Sequence, residues 1–185
     1  PIAVGAALTA SLRDLDRTVV VFLGDAAMET GVVHESLNFS AVHCLPVLFC
    51  CENNLYSVYS PMSVRQPTHR TLADFAAGHG VRTASGDGND AEEVHEIAFK
   101  AHERIGRGEG PVFVELSTYR WREHCGPNFD NDLGYRSENE YEKWRRRCPI
   151  QMHRVKLVDR GTLTPELEIR MTAEIQSEID AAFET

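Results

Sequence analysis

The chain has 185 residues, with 19 Lys plus Arg against 28 Asp plus Glu, a formal charge of −9, 42% hydrophobic residues and 25% charged ones. That length predicts a single domain over residues 1–185 with a sizeable core, and the composition excludes low-complexity disorder. The acidic balance opposes attraction to phosphate backbones, so no nucleic acid partner is expected, and no apolar run approaches the ~20 residues of a membrane helix, so no membrane is expected either.

Along the chain, Val4, Ala7, Leu8, Ser11 and Leu12 recur at helical spacing and predict a first helix. A turn over Asp14 to Arg17 leads into Thr18 to Leu23, a β-branched run predicted as a buried strand that ends at Gly24 and Asp25. Val33, Leu37, Ala41 and Cys44 mark one face of a second helix, and Pro46 admits a second strand, Val47 to Cys51. That strand is continuously apolar, as expected of one covered on both faces, and it stops at Glu52, Asn53 and Asn54. Leu55 to Arg70, with Pro61 and Pro67 and no sustained periodicity, is predicted as a loop of functional length.

Leu72 to Ala77 reads as a short helix and Val81 to Ser85 as a strand, followed by a turn at Gly86, Asp87, Gly88 and Asn89. Asp90 is expected to cap the next helix, with Glu93 completing a capping-box-like pattern and Val94, Ile97, Ala98, Ala101 and Ile105 forming its buried stripe. Pro111 to Leu116 is a further strand, and a polar loop follows from about Thr118 to Ser137. From about residue 138 a helical extension is expected, with Thr164 as a cap, Pro165 at the first helical position and an apolar row at Leu167, Met171, Ile175 and Ile179. Strands alternating with helices and lacking hairpin signals predict an α/β fold, a parallel sheet flanked by helices. The basic run Lys143, Arg145, Arg146 and Arg147 reads as a solvated helix face.

Cys44, Cys50, Cys51, Cys125 and Cys148 form no CxxC pair and no zinc spacing, which suits a reducing, cytoplasmic compartment. No secretory leader is expected from the pattern of the first residues. Cys50 and Cys51 are adjacent within the apolar run, so their side chains should point to opposite faces of the strand.

The chemistry is carried by two strand ends. Asp25 closes one strand and Asn54 closes the next across a single helical crossover, so a parallel arrangement places both at the carboxyl edge of the sheet. A carboxylate, an amide oxygen and a main-chain carbonyl are the donors that a hard cation such as magnesium takes alongside waters and phosphate oxygens. Ala26 to Thr30 lead into the following helix, whose free N–H groups favour a diphosphate. Each fragment taken alone also reads as an ordinary turn.

Together, Gly24-Asp25-Ala26-Ala27, Gly31, Glu35, Asn38, Leu45-Pro46 and Glu52-Asn53-Asn54-Leu55-Tyr56 resemble the thiamine diphosphate motif of the 2-oxoacid dehydrogenase family. The resemblance is to alpha subunits of the branch that includes pyruvate, branched-chain 2-oxoacid and acetoin dehydrogenases. It extends through Pro1-Ile2-Ala3, Gly86-Asp87-Gly88-Asn89-Asp90, Gly110-Pro111 and Thr118-Tyr119-Arg120, about residues 1 to 180. It implies a thiamine diphosphate-binding fold, with Asp25, the Asn54 side chain and the Tyr56 carbonyl holding Mg2+, and with Gly24, Ala26 and Ala27 against the diphosphate. Ala26 stands where the family usually has glycine, which matters if the backbone there needs a positive φ.

His124 matches the second histidine of the family's Tyr-His-Gly-His-Ser segment, here Trp121-Arg122-Glu123-His124-Cys125, and the resemblance implies a catalytic or phosphate-binding role for it. Cys125 replaces the serine phosphorylated in mitochondrial members. The resemblance further implies a substantial portion ahead of the position of Pro1, a beta-type subunit that completes the active site, a hetero-tetramer and a lipoyl-bearing acyltransferase acceptor. The implied activity is decarboxylation of a 2-oxoacid with transfer of the acyl group to a lipoyl group. The alternatives are an acyloin-cleaving or carboligating relative, or a non-catalytic partner-binding subunit.

Overall fold

A computed structural model describes residues 1–184, which fall into two compact units, 1–147 and 148–184. The first unit is built on a four-stranded, wholly parallel sheet of order β1-β2-β6-β5, formed by β1 (Val19–Gly24), β2 (Val47–Asn53), β5 (Arg82–Asp87) and β6 (Val112–Ser117). A small antiparallel ribbon, β3 (Tyr56–Ser57) with β4 (Ser60–Pro61), follows β2. The helices of this unit are α1 (Ile2–Leu12), α2 (Gly31–Val42), α3 (Met62–Arg65), α4 (Leu72–Ala77), α5 (Ala91–Gly106) and α6 (Glu138–Arg145). The expected parallel sheet flanked by helices is therefore present.

The sheet divides two apolar layers. On one face Val47, Phe49, Cys51 and Phe113 pack with Val4 and Ala7 of α1, Leu37 of α2, and Leu72 and Ala76 of α4. On the other, Leu48, Cys50, Val112, Val114 and Leu116 pack with Ala101 and Ile105 of α5. Cys50 and Cys51 thus lie on opposite faces, as strand alternation requires. Burial pushes the Cys51 thiol far up, with the charges of Glu115 and Asp25 adding to it, and Cys50 is raised for the same first reason. A thiol reagent is expected to modify exposed Cys44 and Cys125 in the native chain and to leave Cys51 untouched until denaturant is added. Native-state modification of Cys51 contradicts this core.

Several local expectations are corrected. β1 is half-buried on one face and exposed on the other: Val19, Val21 and Leu23 pack partly against the core, while Val20 and Phe22 are 46% and 67% exposed on the side where α5 packs chiefly on β2, β5 and β6. The buried row of α1 is Val4, Ala7 and Ala10, and Leu12 is exposed. Cys44 lies beyond the end of α2 with φ 47°, in the turn that delivers Leu45 to the core. The stretch 55–70 is not featureless, since it forms the β3–β4 ribbon and α3.

Asp90 caps α5 by accepting from Glu92 N and Glu93 N, but the Glu93 carboxylate accepts from Asp87 N at 3.2 Å instead of returning to Asp90. The box forms one helix earlier, where Thr71 and Asp74 satisfy each other's N–H groups at the start of α4.

Gly88 is a packing glycine, since a Cβ there would lie 2.9 Å from the carbonyl oxygen of Ser117, whereas one on Gly86 would meet the side-chain ends of Ile97 and Glu93. The second unit carries α7 (Pro149–Asp159) and α8 (Pro165–Phe183), tied by a two-pronged Arg154–Glu168 pair at 2.6 and 2.8 Å. Thr164 caps α8 by accepting from Leu167 N, as its sequence predicts. Met171, Ile175 and Ile179 are exposed. Among the described residues no helix is long and apolar enough to cross a membrane.

Candidate active site

Because every strand of the sheet runs the same way, the carboxyl ends of β1, β2, β5 and β6 open onto one edge, where Asp25, Asn54 and Thr118 follow β1, β2 and β6 and Asp87 ends β5. The β1–β2 register sets Gly24 opposite Glu52, so the residues just beyond, Asp25 and the Asn53-Asn54 turn, are neighbours across the ladder.

Asp25 opens a short 3-10 turn, Asp25–Glu29, and is only 1% exposed. A buried carboxylate needs a positive partner, and here the Arg65 guanidinium donates to Asp25 through Nη2, to Glu29 through Nη1 and to the Ser60 carbonyl through Nε at 3.1 Å.

The turn after β2 is built by two successive asparagines. Asn53 Oδ1 accepts from Leu55 N at 3.1 Å and Asn54 Oδ1 accepts from Tyr56 N at 3.0 Å, each side chain bonding the backbone two residues on. These bonds hold Leu55 at φ 73°, a region disfavoured for leucine. Asn53 is itself fixed by donating to Glu115 Oε1 at 2.8 Å, while Glu115 Oε2 accepts from Ala73 N at 3.0 Å. The ribbon strand β3, which begins at Tyr56, then packs against the 3-10 turn of Asp25. Tyr56 donates its hydroxyl to the Glu140 carboxylate at 2.8 Å, and burial together with that acceptor raises its pKa.

Asp25 and the turn from Asn54 to Tyr56 thus lie on one edge of the sheet, with β3 against the 3-10 turn, and the donors they carry are of the type a hard divalent cation takes. The set offers a carboxylate, an amide oxygen with a lone pair beyond its Asx-turn bond, and a main-chain carbonyl. The Arg65 guanidinium shows that the site accommodates positive charge at Asp25. Among the described residues no group of three or more His, Cys, Asp or Glu side chains forms a metal cluster, so further ligands would be neutral or ligand oxygens.

Gly24 is exposed and a Cβ there would meet nothing within 4 Å, leaving open space above the strand end. Ala26 and Ala27 lie half-buried in the 3-10 turn, and Ala26 does not have positive φ, so its methyl group imposes no backbone strain. The helix expected to run straight on from them begins only at Gly31. Thr30 is extended, and the Ala27 carbonyl accepts both its N–H and its hydroxyl, which leaves the first turn of α2 with no side-chain cap.

His124 is placed differently. It stands exposed on the loop after β6. What fixes that loop is an ion-pair network that sequence reasoning missed. Asp130 accepts from Arg136 Nη2 at 2.6 Å, from the Tyr135 hydroxyl at 2.8 Å and from Arg120 Nη1 at 3.4 Å. Arg65, Glu29, Glu115 and Glu140 were missed as well. Each pairs across 36 or more residues, a separation at which local patterns carry no signal. Glu35 and Asn38 are both exposed on α2.

A separate cleft between β5 and α5, bordered by Arg82, Lys100 and Arg104, opens at the amino ends of the strands. Its cations are already paired, Arg82 and Arg104 with Glu109 and Lys100 with Glu96, and it lies at the opposite end of the strands from Asp25.

Residues 1–185 match the family described as the dehydrogenase E1 component. The chain is 36% identical over 182 residues to the 2-oxoisovalerate dehydrogenase subunit alpha of Bacillus subtilis, covering 98% of this chain and 54% of that protein. It is 38% identical over 186 residues to the 3-methyl-2-oxobutanoate dehydrogenase subunit alpha of Mycobacterium tuberculosis, covering 98% and 50%. To the pyruvate dehydrogenase E1 component subunit alpha of Staphylococcus epidermidis it is 30% identical over 179 residues, covering 97% and 48%. The chain spans about half the length of these relatives. With its whole length matched and its two strand-end turns on one sheet edge, the chain belongs to the dehydrogenase E1 component family.

Proposed function

We propose that this chain is the metal- and diphosphate-binding part of an alpha-type subunit of a thiamine diphosphate-dependent 2-oxoacid dehydrogenase. The observation that carries the reading is the buried Asp25 carboxylate at the end of β1 beside the Asn53-Asn54-Leu55-Tyr56 turn at the end of the neighbouring parallel strand. Asp25, Asn54 Oδ1 and the Tyr56 carbonyl would hold Mg2+, and Gly24, Ala26 and Ala27 would border the diphosphate that shares it. When bound, thiamine diphosphate supplies the carbanion chemistry by which a 2-oxoacid loses carbon dioxide. The chain's own part is to fix the metal and to orient the diphosphate on rigid strand ends. A beta-type subunit is proposed to complete the site, in a hetero-tetramer that passes the acyl group to a lipoyl-bearing acyltransferase. A cytoplasmic location is part of the same proposal.

The test is carbon dioxide release from a panel of 2-oxoacids, measured first on this chain alone with saturating Mg2+ and thiamine diphosphate. It is then repeated on the full chain assembled with a beta-type subunit. Turnover should appear only in the assembly, and turnover by the 185-residue chain alone would overturn the shared-site proposal. His124→Ala in that assembly is expected to lower kcat about tenfold or more and to leave cofactor affinity within about twofold, because the residue is not among the proposed metal donors and a proton-handling role falls on the chemical step. Unchanged kcat removes His124 from the mechanism.

A further inference from the structure

Arg65 is the partner of Asp25, and its placement carries a consequence for metal binding. Its side chain is 10% exposed and that of Asp25 is 2% exposed, so the two charges depend on each other. A guanidinium and a divalent cation cannot share that carboxylate oxygen, since like charges at contact distance repel strongly where solvent is excluded. One of the two must therefore yield.

Asp25 is anchored by its position at the end of β1, within a 3-10 turn. Arg65 sits on the four-residue helix α3 within the loop that follows β2, held otherwise by the Ser60 carbonyl and by Glu29, whose side chain is 32% exposed. Arg65 is the movable partner, and Glu29 gives its charge a place to remain.

We propose that Arg65 is an exchangeable counter-ion: its guanidinium neutralises Asp25 in the metal-free protein, and a divalent cation binds by displacing it. The inference rests on the reading of Asp25 as a metal ligand. It makes α3 a sensor of metal occupancy, tied through Arg65 to both Asp25 and Glu29 in one state and to Glu29 without Asp25 in the other. It also makes the apparent metal affinity lower than the intrinsic one, by the fraction of molecules in which Asp25 is free.

The experiment is a Mn2+ titration of the full chain in the presence of thiamine diphosphate, with free Mn2+ followed by its paramagnetic resonance signal. Wild type, Arg65→Gln and Asp25→Asn are compared. Arg65→Gln should bind Mn2+ about tenfold tighter, because no cation competes for Asp25. Its metal-free form should melt at a lower temperature than wild type and gain more on adding Mn2+. If Arg65→Gln fails to fold, Arg65→Lys, which keeps the charge without the fork, should bind tighter by a smaller factor.

Equal or weaker Mn2+ affinity in the folded Arg65 variant overturns the counter-ion proposal. Loss of binding in Asp25→Asn would then show that the metal site itself stands. Wild-type affinity in Asp25→Asn overturns the metal site and the counter-ion together.

Discussion

Asp25→Asn is expected to lower the Mg2+-dependent affinity for thiamine diphosphate by at least about 100-fold, with the fold retained. Asp25 is the one carboxylate in the donor set, and the amide that replaces it has the same shape but no charge to set against a divalent cation. The diphosphate carries negative charge of its own, so without the cation it would face Glu29 and the partial charges of the turn unassisted. Retention of the fold follows from the surroundings, because Arg65 keeps Glu29 and Ser60 as partners once Asp25 is neutral. Asn54→Ala should cost less, about tenfold, since a neutral oxygen is lost and the Asx-turn bond to Tyr56 N goes with it. Calorimetric titration of the assembled enzyme, with and without Mg2+, reads both effects. Equal cofactor affinity in Asp25→Asn and wild type removes the carboxylate from the site.

The largest effect on stability is expected from Asp130→Ala. Asp130 and the side chain of Arg136 are 2% and 1% exposed. The guanidinium lies 5.2 Å from the ring centres of Tyr119 and Tyr135 and 5.5 Å from that of Tyr141, and it also donates to the Arg120 carbonyl at 2.6 Å. The rings add cation–π attraction, yet they cannot replace a carboxylate, and the Nε of Arg136 already lacks a hydrogen-bond partner. Removing Asp130 strands a buried positive charge, a change that costs about 3–5 kcal/mol. Urea denaturation should show an unfolding free energy lower by that amount, with Asp130→Asn losing less because it keeps an acceptor. A loss below about 1 kcal/mol would mean that the pair is open to solvent, where such pairs contribute little.

The two variants differ in how legible they were. Asp25 and Asn54 stood out because strand ends are marked by composition: an apolar run, then Gly-Asp or Asn-Asn, with one helical period between. The parallel register then followed from the crossover rule, and the structure places both residues on one edge. The turn chemistry was readable too, since asparagine side chains bond the backbone two residues on. The caps at Asp90 and Thr164 were found by the same local logic.

Residues whose meaning depends on distant partners were not legible. Arg65 reads as an ordinary loop arginine until the fold sets it beside Asp25, 40 positions earlier. Glu115 lies in a strand, and nothing in the local pattern marks it as the buried clamp between Asn53 and the start of α4. Asp130 and Arg136 are close in sequence, but no periodicity governs a loop, so their pairing could not be read off. Burial of β1 was overstated because alternation cannot show which face a helix will cover. The 3-10 turn over Asp25–Glu29 was missed because the extended Thr30 that ends it carries no distinctive sequence mark.

Asp25 is proposed to hold a divalent cation that also grips the diphosphate. Phosphorus hyperfine coupling to Mn2+, measured by electron–nuclear double resonance on the assembled enzyme with Mn2+ and thiamine diphosphate, reports that contact. Coupling from directly coordinated phosphate oxygens is expected in wild type and should disappear in Asp25→Asn. Wild-type Mn2+ binding with no phosphorus coupling, or coupling undiminished in Asp25→Asn, would rule the contact out.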